Sequence, residues 1–578
     1  MAMAEERDTT AAASVLIGPL PAGALRADET VPTGIVSAET VLPSEPAGPE
    51  PLSPTPTGAT PAGATPVGAT PVGATPVDPA PADPAPRRRS TTTGRGRPSK
   101  RGSARTFRRV TALLVVAAII ATGGANVPEP AGSGWASPGL IGGGGWPFAG
   151  VPLSPDEAAG ASYLPNSSVV RLADGRARLI PSGGEAPITV EASDPRVDRA
   201  IRSDSSWLAQ GTVPTGGAAP AAATGPAVGQ HGDYRDMAAR ALLDLRLLTR
   251  PNGASLASWY TKWRYCWPRD SAFAAAAFTA TGHPSEARRI LRFLARAQHD
   301  NGMWAARYNP DGTAVTDGRA PQLDSVGWVL WATWFYRVQA QSPDDLPDLW
   351  PMVRRGADHL AWSLDAEGLP PASSDYWERD HRREEDPRRP TLGVVAPVLA
   401  GLRSAADLAR ARGENGKAAD WRRAAQRVSD AVARQFAPYG YPRSPIRGGL
   451  MDTSVTFLAP PFAQTDEGVT AAIADAQRKQ ALPNGGVLPG ERWSGSPDVA
   501  WTPETALFGL NAATSGRTTE AIGRLDWLAA HRTTLGVLPE KVGPTGKQAG
   551  PAPLGWTASL VLLSLSALEN PLPIPPSG

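Results

Sequence analysis

The feature that most constrains this chain is an alternation of helical segments and links that begins near Tyr234. Apolar residues recur there at helical spacing. The periodicity predicts helices over 234–248, 271–281, 284–298, 322–341, 346–364, 391–412, 416–437, 452–458, 466–480, 500–515, 517–532 and 554–569. Links after the odd-numbered helices run to about 14–26 residues and those after the even-numbered ones to about 1–7, and long links in compact domains are usually functional. In a closed ring of helix hairpins all the long links fall on one rim. The expected fold is therefore an all-α (α/α)6 toroid over 234–570 with its site on that rim. The pattern depends on accepting the weak segment 452–458 as the eighth helix.

The N-terminal part reads differently. Four GATP[AV] repeats lie between Gly58 and Val77, in a stretch rich in Pro, Ala and Thr. Such a segment buries little and is expected to be disordered over 1–109. Residues 87–109 hold ten Lys or Arg and no acid, and the apolar run VTALLVVAAIIAT follows. A basic flank before an apolar run reads as a membrane anchor over 110–127, with the C-terminal domain outside the cell membrane. A cleaved, secreted form is the alternative, although 109 residues is long for the region that precedes a signal's apolar run. Nucleic-acid binding is not needed to explain the basic stretch. Residues 128–233 read as a linker with a small β element: a hairpin around Asp174-Gly175 and a further strand at Ile188–Val190.

All 18 Trp lie at or after Trp135, which puts aromatic cores and any sugar platforms in the C-terminal part. One cysteine, Cys266, excludes an intrachain disulfide framework and a Cys-cluster zinc site. Six scattered His give no HxH or HExxH pair, so no metal or cofactor is expected.

Four motifs fall in the long links or at their ends. KWRYCWPRDSAF, Lys262 to Phe273, sets three aromatics around Arg269 and Asp270. A guanidinium fork and a carboxylate suit sugar hydroxyls; Asp270 as a helix cap is an equally good reading. RAPQLDSVGWVLWATWFY, Arg319 to Tyr336, carries Gln322, Asp324 and a Trp stripe at 328, 331 and 334 that reads as core, with Asp324 capping the helix or reaching the site. SSDYWERD, residues 373–380, holds Glu378, and GVLPEKV, Gly536 to Val542, holds Glu540. Each Glu alone reads as an exposed charge. Together on one rim they satisfy the two-carboxylate requirement of glycoside hydrolysis.

RYCWPRDS, QLDSVGWVL, SDYWERD and LPEK…PLGWTAS together resemble glycoside hydrolase family 15, the glucoamylase, glucodextranase and trehalase family, over about Tyr234 to Leu568. The resemblance implies an (α/α)6 barrel and an exo-acting, inverting hydrolase of α-linked glucosides, with an oligo- or polysaccharide substrate. By that resemblance Glu378 is the general acid, Glu540 the general base, and Arg269 and Asp270 hold the non-reducing sugar. Trp267, Trp377 and Trp556 are expected as pocket walls, Trp377 lending Glu378 a partly apolar wall, and Arg492 as a further substrate contact. The chain departs from the family at Arg379, where many members carry a second Glu, and in the charged run HRREEDPRR. The Asn309–Arg319 loop is short, and no N-terminal β-sandwich is evident. A non-catalytic glycan-binding or envelope protein on the same toroid is the alternative, followed by a lyase or a phosphorylase.

Overall fold

The computed structural model describes residues 159–182, 187–217, 234–259, 261–340 and 346–577. The expected tail over 1–109 and the expected anchor over 110–127 lie outside these residues. The chain divides into two units, 1–99 and 100–578, and everything described belongs to the second.

The described part begins with an antiparallel meander of β1 (Ser162–Tyr163), β2 (Val169–Arg171), β3 (Ala177–Leu179) and β4 (Ile188–Val190), paired in that order. The β2–β3 hairpin turns at Asp174-Gly175 as expected. Gly175 takes φ +85°, and the Asp174 carboxylate accepts the Arg176 N–H at 2.9 Å. The helix α1 (Pro195–Leu208) corrects the reading of this region as linker with β structure only. Asp194 caps it by accepting the Arg196 N–H, and Pro195 pre-sets its first turn. Val197 joins Val169, Ala177 and Leu179 in a small core. Asp204 of α1 accepts the Ser168 N–H at 2.7 Å and pairs with Arg246 at 2.7 Å, which ties the element to the first toroid helix.

Among the described residues twelve helical segments build the toroid, besides three short 3-10 turns in the links between them. The twelve are α2 (Arg235–Leu248), α3 (Pro268–Ala280), α4 (Pro284–Ala297), α5 (Leu323–Gln339), α6 (Trp350–Ser363), α7 (Leu392–Ala411), α8 (Asn415–Gln435), a 3-10 helix (Thr453–Leu458), α9 (Glu467–Gln480), α10 (Thr502–Thr514), α11 (Thr518–Ala530) and α12 (Gly555–Glu569). The weak eighth segment is real, but it is wound as a 3-10 helix. The inner ring is closed: α3 packs on α5 and α12, α5 on α7, α7 on the 3-10 helix, that helix on α10, and α10 on α12. The inner helices are buried along nearly their whole length. The outer helices α4, α6, α8, α9 and α11 bury one face only. The outer helix α2 is the exception, because α1 packs over it.

This arrangement explains two features of composition. Among the described residues α7 is long and apolar enough to cross a membrane, yet it is an inner helix buried against α5 and α8. The Trp stripe is core: Trp328 and Trp331 are fully buried and meet Phe273 and Phe462 inside the ring. Where α5 crosses α7 the backbones nearly touch. A Cβ on Gly327 would lie 2.1 Å from the Pro397 carbonyl oxygen, and one on Gly401 would lie 2.6 Å from the Gly327 Cα. Only glycine permits that approach.

Candidate active site

Each outer helix passes to an inner one through a long segment: 249–267, 298–322, 364–391, 436–452, 481–501 and 531–554. These segments share one rim, where the N-terminal, partly positive ends of the inner helices also lie. First and last segments are stitched together. Trp259 donates its indole N–H to the Ala552 carbonyl at 2.9 Å, and Ser258 its hydroxyl to that of Pro553 at 2.7 Å.

Arg269 anchors the floor. It sits in the first turn of α3, 4% exposed, behind Pro268. Its guanidinium lies 3.0 Å from the Asp270 carboxylate, 3.2 Å from that of Glu378 and 3.6 Å from that of Asp324. It also stacks 5.1 Å from the centre of the Trp556 ring. Burial opposes its charge, but the three carboxyl groups more than offset this and hold its pKa above the ordinary value. Burial pushes Asp270 above the usual carboxylate range and Asp324 up to about 7, with Arg269 opposing both. Neither aspartate caps its helix, contrary to the capping readings: the caps are Trp267 and Gln322, one residue before each helix starts.

Glu378 projects from the 364–391 segment. Its Oε1 accepts from the Gln322 amide at 2.9 Å and from Arg269, and its Oε2 accepts from Arg319 at 2.7 Å. The expected partly apolar wall is therefore replaced by two guanidinium groups and an amide, which the 298–322 segment and the first turn of α3 supply. The backbone at Glu378 is left-handed, φ +56°. Such a conformation costs a non-glycine residue about 1–2 kcal/mol. Asp375 holds it: its carbonyl accepts the Glu378 N–H at 2.8 Å, and its carboxylate accepts the Trp377 N–H at 3.0 Å. Asp375 is fixed in turn by the Thr391 hydroxyl at 2.6 Å and by buried Arg443 at 2.9 Å, which also pairs with Glu384 and Asp452.

Glu540 lies across the rim, 6% exposed. It is placed by a small sheet of β5 (Ala500–Trp501), β6 (Lys541–Val542) and β7 (Gln548–Ala549), and by its N–H bond to the Pro551 carbonyl at 3.0 Å. Its Oε1 accepts the Trp263 indole N–H at 2.9 Å. Its Oε2 lies 3.2 Å from the Lys541 ammonium and has no hydrogen-bond partner within the protein. Gly550 makes room for this carboxylate, since a Cβ there would stand 2.6 Å from Oε2. Glu504, in the first turn of α10, is buried nearby. Burial, then the charge of Glu540, pushes its carboxyl up to about 8.

An aromatic ladder links the two glutamate segments. Trp377 meets Trp493 edge-on at 5.3 Å, Trp493 meets Trp501 at 4.9 Å, and the Lys541 ammonium sits 4.4 Å over Trp501. Trp267, Trp377 and Trp556 are buried with unpartnered indole N–H groups, and Asp270, Asp324, Glu504 and Glu540 contribute unpartnered carboxylate oxygens. Buried polar atoms are normally paired. Such a concentration suits a ligand rich in hydroxyls. Among the described residues no cluster of His, Cys, Asp or Glu could hold a metal ion. Arg492 lies outside the Arg269 cluster: its side chain is 59% exposed and pairs with Glu385 at 2.6 Å.

Residues 232–486 match the family model described as "Glycosyl hydrolases family 15". Over that span the helical domain is similar to glycoside hydrolase family 15, and the protein is a glycoside hydrolase. Arg269, Asp270, Asp324 and Glu378 of the hydrolase fall within the matched span, and Glu540 lies beyond it. Among solved structures, a bacterial glucoamylase complexed with acarbose is 17% identical with a TM-score of 0.50, over 65% of this chain and 60% of that one. A wild-type glycosidase is 21% identical with a TM-score of 0.49, over 58% and 96%. The Saccharomycopsis fibuligera glucoamylase is 15% identical with a TM-score of 0.45, over 55% and 89%. At these identities the likeness is one of fold. No curated protein matches the chain.

Sequence reading of the hydrolase did not find Arg319, Glu504, Trp263 or Lys541. Arg319 and Trp263 stand inside the quoted motifs and Lys541 directly follows Glu540, so proximity to a candidate was the available signal. Glu504, in TPETALF, reads only as a helix start.

The placing of Glu540 by Gly550 is testable with two alanines. Gly550→Ala and Gly546→Ala both put a side chain at positive φ, +74° and +78°, but the Gly546 Cβ would meet nothing nearer than 3.7 Å, on His531. A displacement of about 1 Å at a catalytic group can cost about a hundredfold. The expected result is a large loss of kcat/KM on a hydrolysed glycoside in Gly550→Ala alone, with both variants folded by circular dichroism. Equal losses in both would show that backbone strain, not Glu540, is responsible.

Proposed function

We propose that the protein is an exo-acting, inverting hydrolase of α-linked glucosides, with Glu378 as general acid and Glu540 as general base. The observation that carries this reading is the unlike setting of two carboxylates on one rim. Glu540 keeps one oxygen free of hydrogen bonds, as a group that takes a proton from water must. Glu378 stands on the Arg269 floor with Asp270 and Asp324 beside it, where a terminal sugar would find a guanidinium and two carboxyl groups for its hydroxyls. Arg319 occupies the outer oxygen of Glu378. Donation to the glycosidic oxygen requires that oxygen to exchange Arg319 for the leaving group. The acid protonates the leaving oxygen, while the base activates water on the opposite face of the sugar.

Release of glucose from maltooligosaccharides, isomaltooligosaccharides and trehalose tests the assignment. Each of Glu378→Gln and Glu540→Gln is expected to lower kcat by about 10²–10⁴-fold, the usual worth of a general acid or base. Wild-type protein indistinguishable from Glu540→Gln across these glycosides would sink the reading and favour a non-catalytic glycan binder.

We infer also that residues 110–127 anchor the hydrolase with its toroid outside the cell membrane; the basic flank over 87–109 and the apolar run after it support this. Full-length protein should stay with membranes through a high-salt wash. Recovery of a shorter form in the medium would contradict the anchor.

A further inference from the structure

Beside the Glu378 segment lies a cleft of about 150 Å³ whose wall includes Trp377. Four arginines line it, Arg379, Arg383, Arg443 and Arg492, with only two glutamates, Glu384 and Glu385. Both glutamates are already engaged. Glu384 pairs with Arg443 at 2.9 Å, and Glu385 with Arg492 at 2.6 Å. Arg443 is further neutralised by Asp375 and Asp452 beneath the cleft. Arg379 has no carboxylate within ion-pair distance among the described residues. Its guanidinium lies 5.3 Å over the Trp377 ring and makes one long hydrogen bond, 3.5 Å, to the Arg492 carbonyl. The Arg383 side chain has no protein partner among the described residues; its backbone N–H bonds to the Asp380 carbonyl at 2.9 Å. Two uncompensated guanidinium groups thus face one cleft, with two more cations beside them. Three carboxylates crowd on Arg443 and one pairs with Arg492, so none is left to pair with Arg379 or Arg383, and the half-buried Arg379 loses hydration that no described residue replaces. An anion in the cleft removes that cost, because the planar fork of arginine matches a carboxylate or phosphate with paired hydrogen bonds.

The position of the cleft says which part of a substrate would carry that anion. A general acid donates its proton to the leaving oxygen, so the leaving sugar lies against the Glu378 segment. Arg379 is the next residue along and Trp377 the one before. We propose that this cleft is the leaving-group subsite and takes an anionic substituent, a carboxylate or phosphate on the sugar released, held by Arg379 and Arg383. The proposal rests on the assignment of Glu378 as the acid.

Two substrate pairs that differ chiefly in charge test it: maltobionate against maltitol, and trehalose 6-phosphate against trehalose. The full-length protein should show kcat/KM about tenfold or more higher for the charged member of at least one pair, the worth of hydrogen bonds to a charged group. Arg379→Gln and Arg383→Gln should move that ratio towards one. Arg383 is exposed, so its substitution does not threaten folding. Calorimetry on Glu540→Gln with the same four compounds reads the preference without turnover. Equal kcat/KM and equal Kd within both pairs would overturn the anionic subsite and leave the acid and base assignments untouched. Inorganic phosphate that stimulates neutral substrates, with no preference for charged ones, would overturn a substrate-borne anion in favour of a free one. No turnover of any of the four, with charged ligands still bound through Arg383, would instead overturn the acid–base reading and with it the leaving-group assignment.

Discussion

The site depends on one buried cation. Arg269 is placed at the start of an inner helix, where the helix end itself disfavours positive charge. It remains there because three carboxyl groups surround it and an indole covers its face. The cluster does not have to hold three full negative charges, since burial pushes Asp324 up to about 7 and raises Asp270. Removing one partner of a buried pair typically costs about 3–5 kcal/mol, so the Arg269 cluster also locks α3, α5 and the Glu378 segment into one arrangement. Rigidity and, in the proposed function, recognition of the terminal sugar come from the same atoms.

A second buried cation does the same for the backbone. Arg443 collects Asp375, Glu384 and Asp452, and Asp375 in turn fixes the left-handed turn at Glu378. Across the rim Glu540 is set by β-pairing and by the space that Gly550 leaves. The Trp377–Trp493–Trp501 ladder, ending at Lys541, ties the two sides together. Strain at Glu378 and unpaired polar atoms around it coexist with a ring whose inner helices are buried along nearly their whole length.

The local features of this molecule were legible in its sequence. Helix periods, the Asp174-Gly175 hairpin, the Trp stripe as core and the alternation of long and short links all arise from neighbouring residues, and the toroid follows from them. The helix Pro195–Leu208 has its signals too, an Asp cap and a Pro at the first turn, but the irregular composition around it hides them. What was not legible was long-range. Arg319 meets Glu378 across 59 positions, and Trp263 meets Glu540 across 277. Arg443 sits in YPRSP, which reads as loop, and nothing nearby announces that it will be buried among three carboxylates. The polar setting of Glu378 was missed for the same reason: an apolar neighbour, Trp377, adjoins it in sequence, while its charged neighbours arrive from other segments.

Two carboxylates flanking one bond can invert or retain, depending on whether a water fits between one of them and the sugar. Proton NMR of the first product released from an α-linked glucoside, recorded before mutarotation, decides between them. Acid catalysis by Glu378 with water activated by Glu540 predicts that β-glucose appears first. Initial release of α-glucose would contradict the account.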